Sequence, residues 1–231
     1  MKVARLIVLL TMFFAVLSLQ SCTDEPEGGV FDCPIGYTGI DCENFDDTQV
    51  QVLLDAGITP LELLNGNIPL SSLYGKRYAG GLIFYVNAND GSGMVAAEED
   101  QSKGARWGCQ GEINGADGEV LGTGVQNTME ILAGCTTSGI AAKICDDLEL
   151  NGYMDWFLPS KGELNLIWTN LADFDGDGHI SGVSIGEFEG AFYSSSTEFS
   201  DQKTWVQFFG GGLQIDDYKG NFHNVRAVRA F

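Results

Sequence analysis

The sequence predicts an α+β fold: twisted antiparallel strands carrying about three short helices, preceded by an export leader and a short disulfide-stapled stalk. Three observations predict it. Apolar runs joined by turn residues occur near residues 82–97 and again beyond Ser181, which reads as hairpins at both ends of a domain. Helical periodicity occupies the stretch between them. The first 47 residues show neither pattern over any useful length.

Taken in order, the chain starts with Lys2 and Arg5, an apolar stretch from Leu6 to Leu19, and Gln20-Ser21-Cys22. A spanning helix needs roughly 20 apolar residues. This run is shorter and is followed by Thr23-Asp24-Glu25, so residues 1–21 are expected to be a signal peptide. Leu19-Gln20-Ser21-Cys22 resembles a lipobox, which implies that Cys22 is acylated and becomes the mature N-terminus. Attachment to the membrane is then through the lipid anchor only, each buried methylene adding about 0.8 kcal/mol. Acidic residues directly after that cysteine resemble the signal that places some lipoproteins at the outer face of the outer membrane. Cell-surface exposure is therefore expected, with the periplasmic face as the alternative.

Without Lys2 and Arg5 the 12 basic residues become 10 against 32 acidic ones, a formal charge of −22. Such a field repels nucleic acid and anionic lipid. Residues 22–47 read as an acidic tether with a small stapled loop. Within it, Cys33-Pro34-Ile35-Gly36-Tyr37-Thr38-Gly39-Ile40-Asp41-Cys42 resembles the last third of an epidermal-growth-factor-like module. The resemblance implies a Cys33–Cys42 disulfide that stiffens the stalk.

Residues 48–73 read as a helical linker, with Val50, Val52, Leu53 and Leu54 ahead of Gly57 and a second segment from Pro60 to Leu64. The main domain is expected over 74–231. It opens with a hairpin, 82–86 and 94–97 around Asn89-Asp90-Gly91-Ser92-Gly93. A Gly-rich loop, 106–124, follows. Helices are then expected at about 126–133 and 138–150. Ser160-Lys161-Gly162-Glu163 has capping-box spacing and starts a third helix whose stripe is Leu164, Ile167, Trp168 and Leu171. Strands are expected at 191–194, 204–209, 213–215 and 224–231, with a Gly210-Gly211-Gly212 turn. In an exported chain, cysteines suggest disulfides. Cys109–Cys135 is the expected pair and Cys135–Cys145 its rival, which spacing alone does not separate.

Five stretches occur in an order that resembles the Lcl C-terminal domain family: Gly80–Phe84, Gly104–Cys109, Gly152–Ser160, Phe192–Glu198 and Val225–Arg229. The likeness covers roughly residues 70–231. It implies a fold of the C-type-lectin and formylglycine-generating-enzyme group, in a family that includes bacterial adhesins and lipoproteins. The adhesin best known in that family binds sulfated glycosaminoglycans as a trimer, a property at odds with the negative charge here.

The sharpest local signal is Asp173-Phe174-Asp175-Gly176-Asp177-Gly178-His179-Ile180. Asp173, Asp175 and Asp177 stand at the first, third and fifth positions of an EF-hand-like loop, Gly178 at the sixth, and His179 at the position that gives a carbonyl. The twelfth position is Ser184 rather than Glu, so calcium would be held weakly, with a dissociation constant on the order of 10⁻⁴–10⁻³ M. For ligand binding, a lectin-like domain needs planar polar groups and an aromatic platform. Tyr193, Glu198, Trp205, Asp216, Asp217 and Tyr218 sit in the strands and turns where one would form. Arg226 and Arg229 are expected to face opposite sides of the last strand, one pairing with a carboxylate such as Asp155 or Glu163. His223 reads as a surface turn residue.

No enzyme is expected. Formylglycine-generating relatives use a cysteine pair near the C-terminus, and no cysteine follows Cys145. No nucleophile elbow is present, and His179 and His223 are the only histidines. Gly122-Thr123-Gly124 lacks the setting of a nucleotide fingerprint. The expectation is a non-catalytic lectin-like domain binding an extracellular glycan or matrix component. The alternative is a cell-envelope structural or assembly protein that holds a protein partner.

Overall fold

The structure, a computed structural model, describes residues 37–38, 44–173, 176 and 185–231. Cys22, Cys33, Cys42, Asp175, Asp177 and His179 lie outside these residues. The chain divides into two compact units, Met1–Asp47 and Thr48–Phe231. In the first, β1 (Tyr37–Thr38) pairs antiparallel with β2 (Asn44–Phe45).

The second unit begins with α1 (Thr48–Asp55) and α2 (Pro60–Asn65). Residues 48–73, expected as a linker, thus belong to the same body as the main domain. Their apolar periodicity explains this: Val50, Leu63 and Leu73 are fully or almost fully buried. Thr59 caps α2 in a capping box with Glu62, and Pro60 stands where its missing N–H costs nothing.

Then come β3 (Arg77–Tyr78), β4 (Gly81–Val86), β5 (Gly93–Ala96) and β6 (Ser102–Arg106). Three helices follow: α3 (Gly124–Gly134), α4 (Ala141–Asp146) and α5 (Lys161–Ile167), the last continuing as a wider π turn over Trp168–Ala172. The C-terminal third holds β7 (Phe192–Glu198), β8 (Lys203–Phe208), β9 (Leu213–Tyr218), β10 (Phe222–Val225) and β11 (Val228–Ala230).

The strands form a five-stranded sheet, β6-β10-β7-β8-β9, and a four-stranded sheet, β11-β5-β4-β3. Most pairs are antiparallel, but β10 runs parallel to β7, with Asn224 opposite Tyr193. The α+β class holds, with two departures from expectation. The terminal strand expected over 224–231 is two strands in different sheets. Arg226 at their junction is 1 % exposed and donates to Asp100 and to the carbonyls of Ala97, Glu98 and Gly186, so the corner is held by one guanidinium. Residues 102–106, not expected as a strand, pair with β10, Phe222 opposite Arg106.

The shared core joins β4, β5, β7, β11 and α5 through Leu82, Phe84, Ala96, Leu164, Ile167, Leu171, Tyr193, Phe209 and Val228. The cap of α5 is as expected. Ser160 accepts from the Glu163 N–H, and Glu163 accepts from the Ser160 N–H at 2.7 Å. Glu163 is fully buried and also takes the N–H groups of Gly122 and Gly124, so it ties the start of α3 to the start of α5. Burial pushes its carboxyl above the ordinary value, against the pull of those donors. Of the two expected pairings, Cys109–Cys135 is the disulfide, and Cys145 is a buried free thiol.

Candidate functional site

The β8–β9 pair runs in uninterrupted register from Lys203 opposite Tyr218 to Phe208 opposite Leu213. Alternation along paired strands puts Lys203, Trp205 and Gln207 on one face together with Tyr218, Asp216 and Gln214. The contacts agree. Lys203 forms an ion pair with Asp216 and lies 5.3 Å from the Tyr218 ring centre, and Gln214 donates to Gln207. At one end of this face α5 packs against the strands, with Gln207 donating to Asn165 at 3.0 Å and Gln214 to the Lys161 carbonyl at 2.9 Å. The helix begins at Lys161, and beyond it the face is partly exposed, Lys203 and Asp216 at 34 % and 33 %.

Trp205 stands at that border. The Lys161 ammonium is 3.4 Å from the Trp205 ring centre and is steered by Glu119 at 2.9 Å. The exposed Phe199 ring meets Trp205 edge-on at 5.4 Å. The indole N–H has no hydrogen-bond partner among the described residues and is not buried. The face therefore offers an indole donor, the Asp216 carboxylate, the Lys203 and Lys161 ammoniums, and Tyr218, which is half exposed. Aromatic surface beside a few oriented polar groups is what recognises a ligand with both C–H and O–H faces.

The other expected ligand residues lie elsewhere. Tyr193 is wholly buried; its ring packs on Phe209 at 4.2 Å and its hydroxyl donates to Asp100. Glu198 is buried with Lys219. Both sit on the central strand β7, where neighbours on each side exclude solvent. Asp217 alternates to the opposite face of β9, where it meets His223 Nε2 at 2.9 Å. Of the six expected residues, then, Trp205, Asp216 and Tyr218 come together. Lys161, Lys203 and Phe199 complete the face and went unnoticed in the sequence. Alternation from Trp205 would have found Lys203, whereas Lys161 arrives only through the packing of α5.

His223 is not a surface turn residue: it is 5 % exposed and Nδ1 has no partner among the described residues. Burial lowers its pKa, and the Asp217 carboxylate only partly offsets this. A histidine held neutral contributes stability that is complete above the ordinary value near 6.5. That stability is lost progressively as the pH falls through the depressed native value, because only the unfolded chain takes up the proton readily. Urea titrations of the protein and of His223→Gln from pH 8 to 5 should therefore diverge below about 6.5, the native chain losing more. Parallel curves would refute the assignment.

Asp173 is buried where the π turn ends, its N–H bonded to the Trp168 carbonyl at 2.8 Å. Among the described residues no group of three or more His, Cys, Asp or Glu side chains is placed to hold a metal ion, and no helix is long and apolar enough to cross a membrane. Compared with known proteins, the chain matches no family model and no curated sequence.

Proposed function

We propose that this chain is a lipoprotein anchored through Cys22, probing its surroundings with a non-catalytic, C-type-lectin-like domain of the Lcl C-terminal kind that binds an extracellular glycan. The observation that carries the reading is the unbonded indole N–H of the partly exposed Trp205, on one face with Asp216, Lys203 and Tyr218. A sugar ring lays its C–H face on aromatic carbon while its hydroxyl groups pair with carboxylate and ammonium. Removing Trp205 deletes the platform and leaves the strand pairing in place.

Trp205→Ala is expected to keep the native near-ultraviolet spectrum of the remaining aromatics and to lose at least tenfold in affinity for any glycan the protein retains on an array, about 1.4 kcal/mol. An unchanged array profile would end this reading. Mass spectrometry of native protein should find Cys22 acylated; an uncleaved leader would remove the surface location. The Asp173–Ser184 stretch is proposed to hold calcium weakly. Addition of 10 mM calcium, about ten or more times the expected dissociation constant, should raise Tm by roughly 5 °C, a shift that Asp177→Asn abolishes. No shift would remove the metal from the proposal.

A protein partner is the second reading, and one observation favours it. Strand β9 is an edge of the five-stranded sheet, and its first residue, Leu213, is 58 % exposed. Capture of a defined envelope protein that is lost on Leu213→Lys, with no glycan bound, would replace the first reading by this one.

A further inference from the structure

The four-stranded sheet carries an open cleft of about 710 Å³ that shares no residue with the Trp205 face. This lies in the range of roughly 300–1,000 Å³ usual for small-molecule sites. The start of α2, the β3–β4 turn, the β4–β5 turn and the end of the chain around Arg229 and Phe231 supply its walls.

The back of the cleft is fixed before any ligand arrives. Arg229 is 7 % exposed and grips Asp155 with two hydrogen bonds, 2.7 and 2.8 Å. It also donates to the Ala79 carbonyl at 2.7 Å and lies 3.7 Å over the Tyr153 ring. Ala79 is held at φ 45°, a left-handed conformation that costs a residue with a Cβ on the order of 1 kcal/mol or more. Asn151, at φ 53°, clamps the same turn by donating to the Gly80 carbonyl. Strain of this kind persists where surroundings over-determine it, and it lets a ligand bind without first ordering the wall.

The chemistry of the lining selects the ligand. The positive charge of Arg229 is matched by Asp155, and the further charge is the exposed Asp90 carboxylate, so an anion finds no unmatched cation. A cation would be drawn to Asp90, but that carboxylate already accepts from Asn87 and from the N–H and hydroxyl of Ser92, and Tyr153 already stacks a guanidinium, which weakens the quadrupole that a second cation would use. A purely apolar ligand would strand polar groups. The Tyr78 and Tyr153 hydroxyls make no hydrogen bond among the described residues, and Asp90, which accepts from Asn87 and from the N–H and hydroxyl of Ser92, lines the same cleft. What remains is an uncharged molecule with hydroxyl groups and C–H faces. Tyr78 and Phe231, edge-on to each other at 4.9 Å, supply aromatic carbon for the latter.

We propose that this cleft is a second saccharide site, taking a neutral oligosaccharide of about two or three rings, with Asp90 and the two tyrosine hydroxyls as hydrogen-bond partners and Tyr78 and Phe231 as packing surface. It deepens the glycan reading while using none of its residues, so the two stand or fall separately.

The test is fluorine NMR of the full chain carrying 3-fluorotyrosine at its 7 tyrosines. Signals are assigned with Tyr78→Phe, Tyr153→Phe and Tyr218→Phe, which keep the ring and hence the packing. Maltotriose, cellotriose and N-acetylated chitotriose are titrated in turn. At least one should move the Tyr78 and Tyr153 signals saturably, and Asp90→Asn should weaken that titration at least fivefold. Movement of Tyr218 alone would support the Trp205 face and overturn the cleft. The cleft is equally overturned if none of the three moves Tyr78 or Tyr153, if only a cationic glucosamine trimer or an anionic chondroitin disaccharide does so, or if Asp90→Asn titrates as the unaltered chain.

Discussion

Replacing Lys219 by Met is expected to destabilise the protein by about 3–5 kcal/mol, the cost of leaving one partner of a buried ion pair without the other. The Lys219 side chain is fully buried and that of Glu198 is 4 % exposed. The ammonium also donates to the Glu112 carbonyl at 2.6 Å and lies 4.5 Å from the Trp107 ring centre. Glu198 in turn accepts from the N–H groups of Asn114 and Gly115, and the Glu198 N–H donates to the Ala116 carbonyl. Lys219 thus holds the Gly-rich segment after Trp107 against β7, and its loss would leave the buried Glu198 carboxylate without a counter-charge. Glu198→Gln should cost less than Lys219→Met, since a neutral amide can still accept from the two backbone donors. The double variant should recover part of the loss. Urea denaturation checks this; a loss under 1 kcal/mol for Lys219→Met would show that the pair is not buried in solution.

The second large effect concerns the same segment. Cys109–Cys135 closes a loop with a sequence separation of 26. In the chain-entropy account a loop of that size contributes about 3.5 kcal/mol by restricting the unfolded chain. Replacing both cysteines with serine should lower stability by about that amount, and Tm by roughly 7–14 °C, with the strand signals of the native fold retained. Replacing both also avoids leaving a free thiol to exchange with the buried Cys145. An unchanged Tm would mean that the bridge does not form. Both tethers restrain residues 107–116, so their losses should fail to add in the triple variant. A cost in combination below the sum of the separate costs is the expected sign of a shared segment.

Local signals made much of this architecture legible. The capping box at Ser160 is a pattern of three-residue spacing, and α5 starts where it says; the same spacing at Thr59 and Glu62 went unread. The β4–β5 and β8–β9 hairpins follow from apolar runs joined by turn glycines. At Gly212 the requirement is strict: φ is 71°, and a Cβ would meet the Trp168 ring at 2.5 Å. The candidate face was half legible. Trp205, Asp216 and Tyr218 alternate on neighbouring strands and came together, while Tyr193 and Glu198 looked the same in sequence yet lie on a central strand covered from both sides.

The sequence by itself determined the α+β class, the start of α5, the hairpins and the net negative charge, because each depends on neighbours within a few residues or on a plain sum. Only the tertiary structure decided between Cys135–Cys109 and Cys135–Cys145, split the last strand at Arg226, buried Lys219 and His223, and set Lys161 over Trp205. Those outcomes depend on which distant segments meet. A lysine after a tyrosine reads as a solvated turn until a glutamate 21 residues earlier comes to face it. Burial and pairing are properties of the assembled sheets, and no local pattern encodes them.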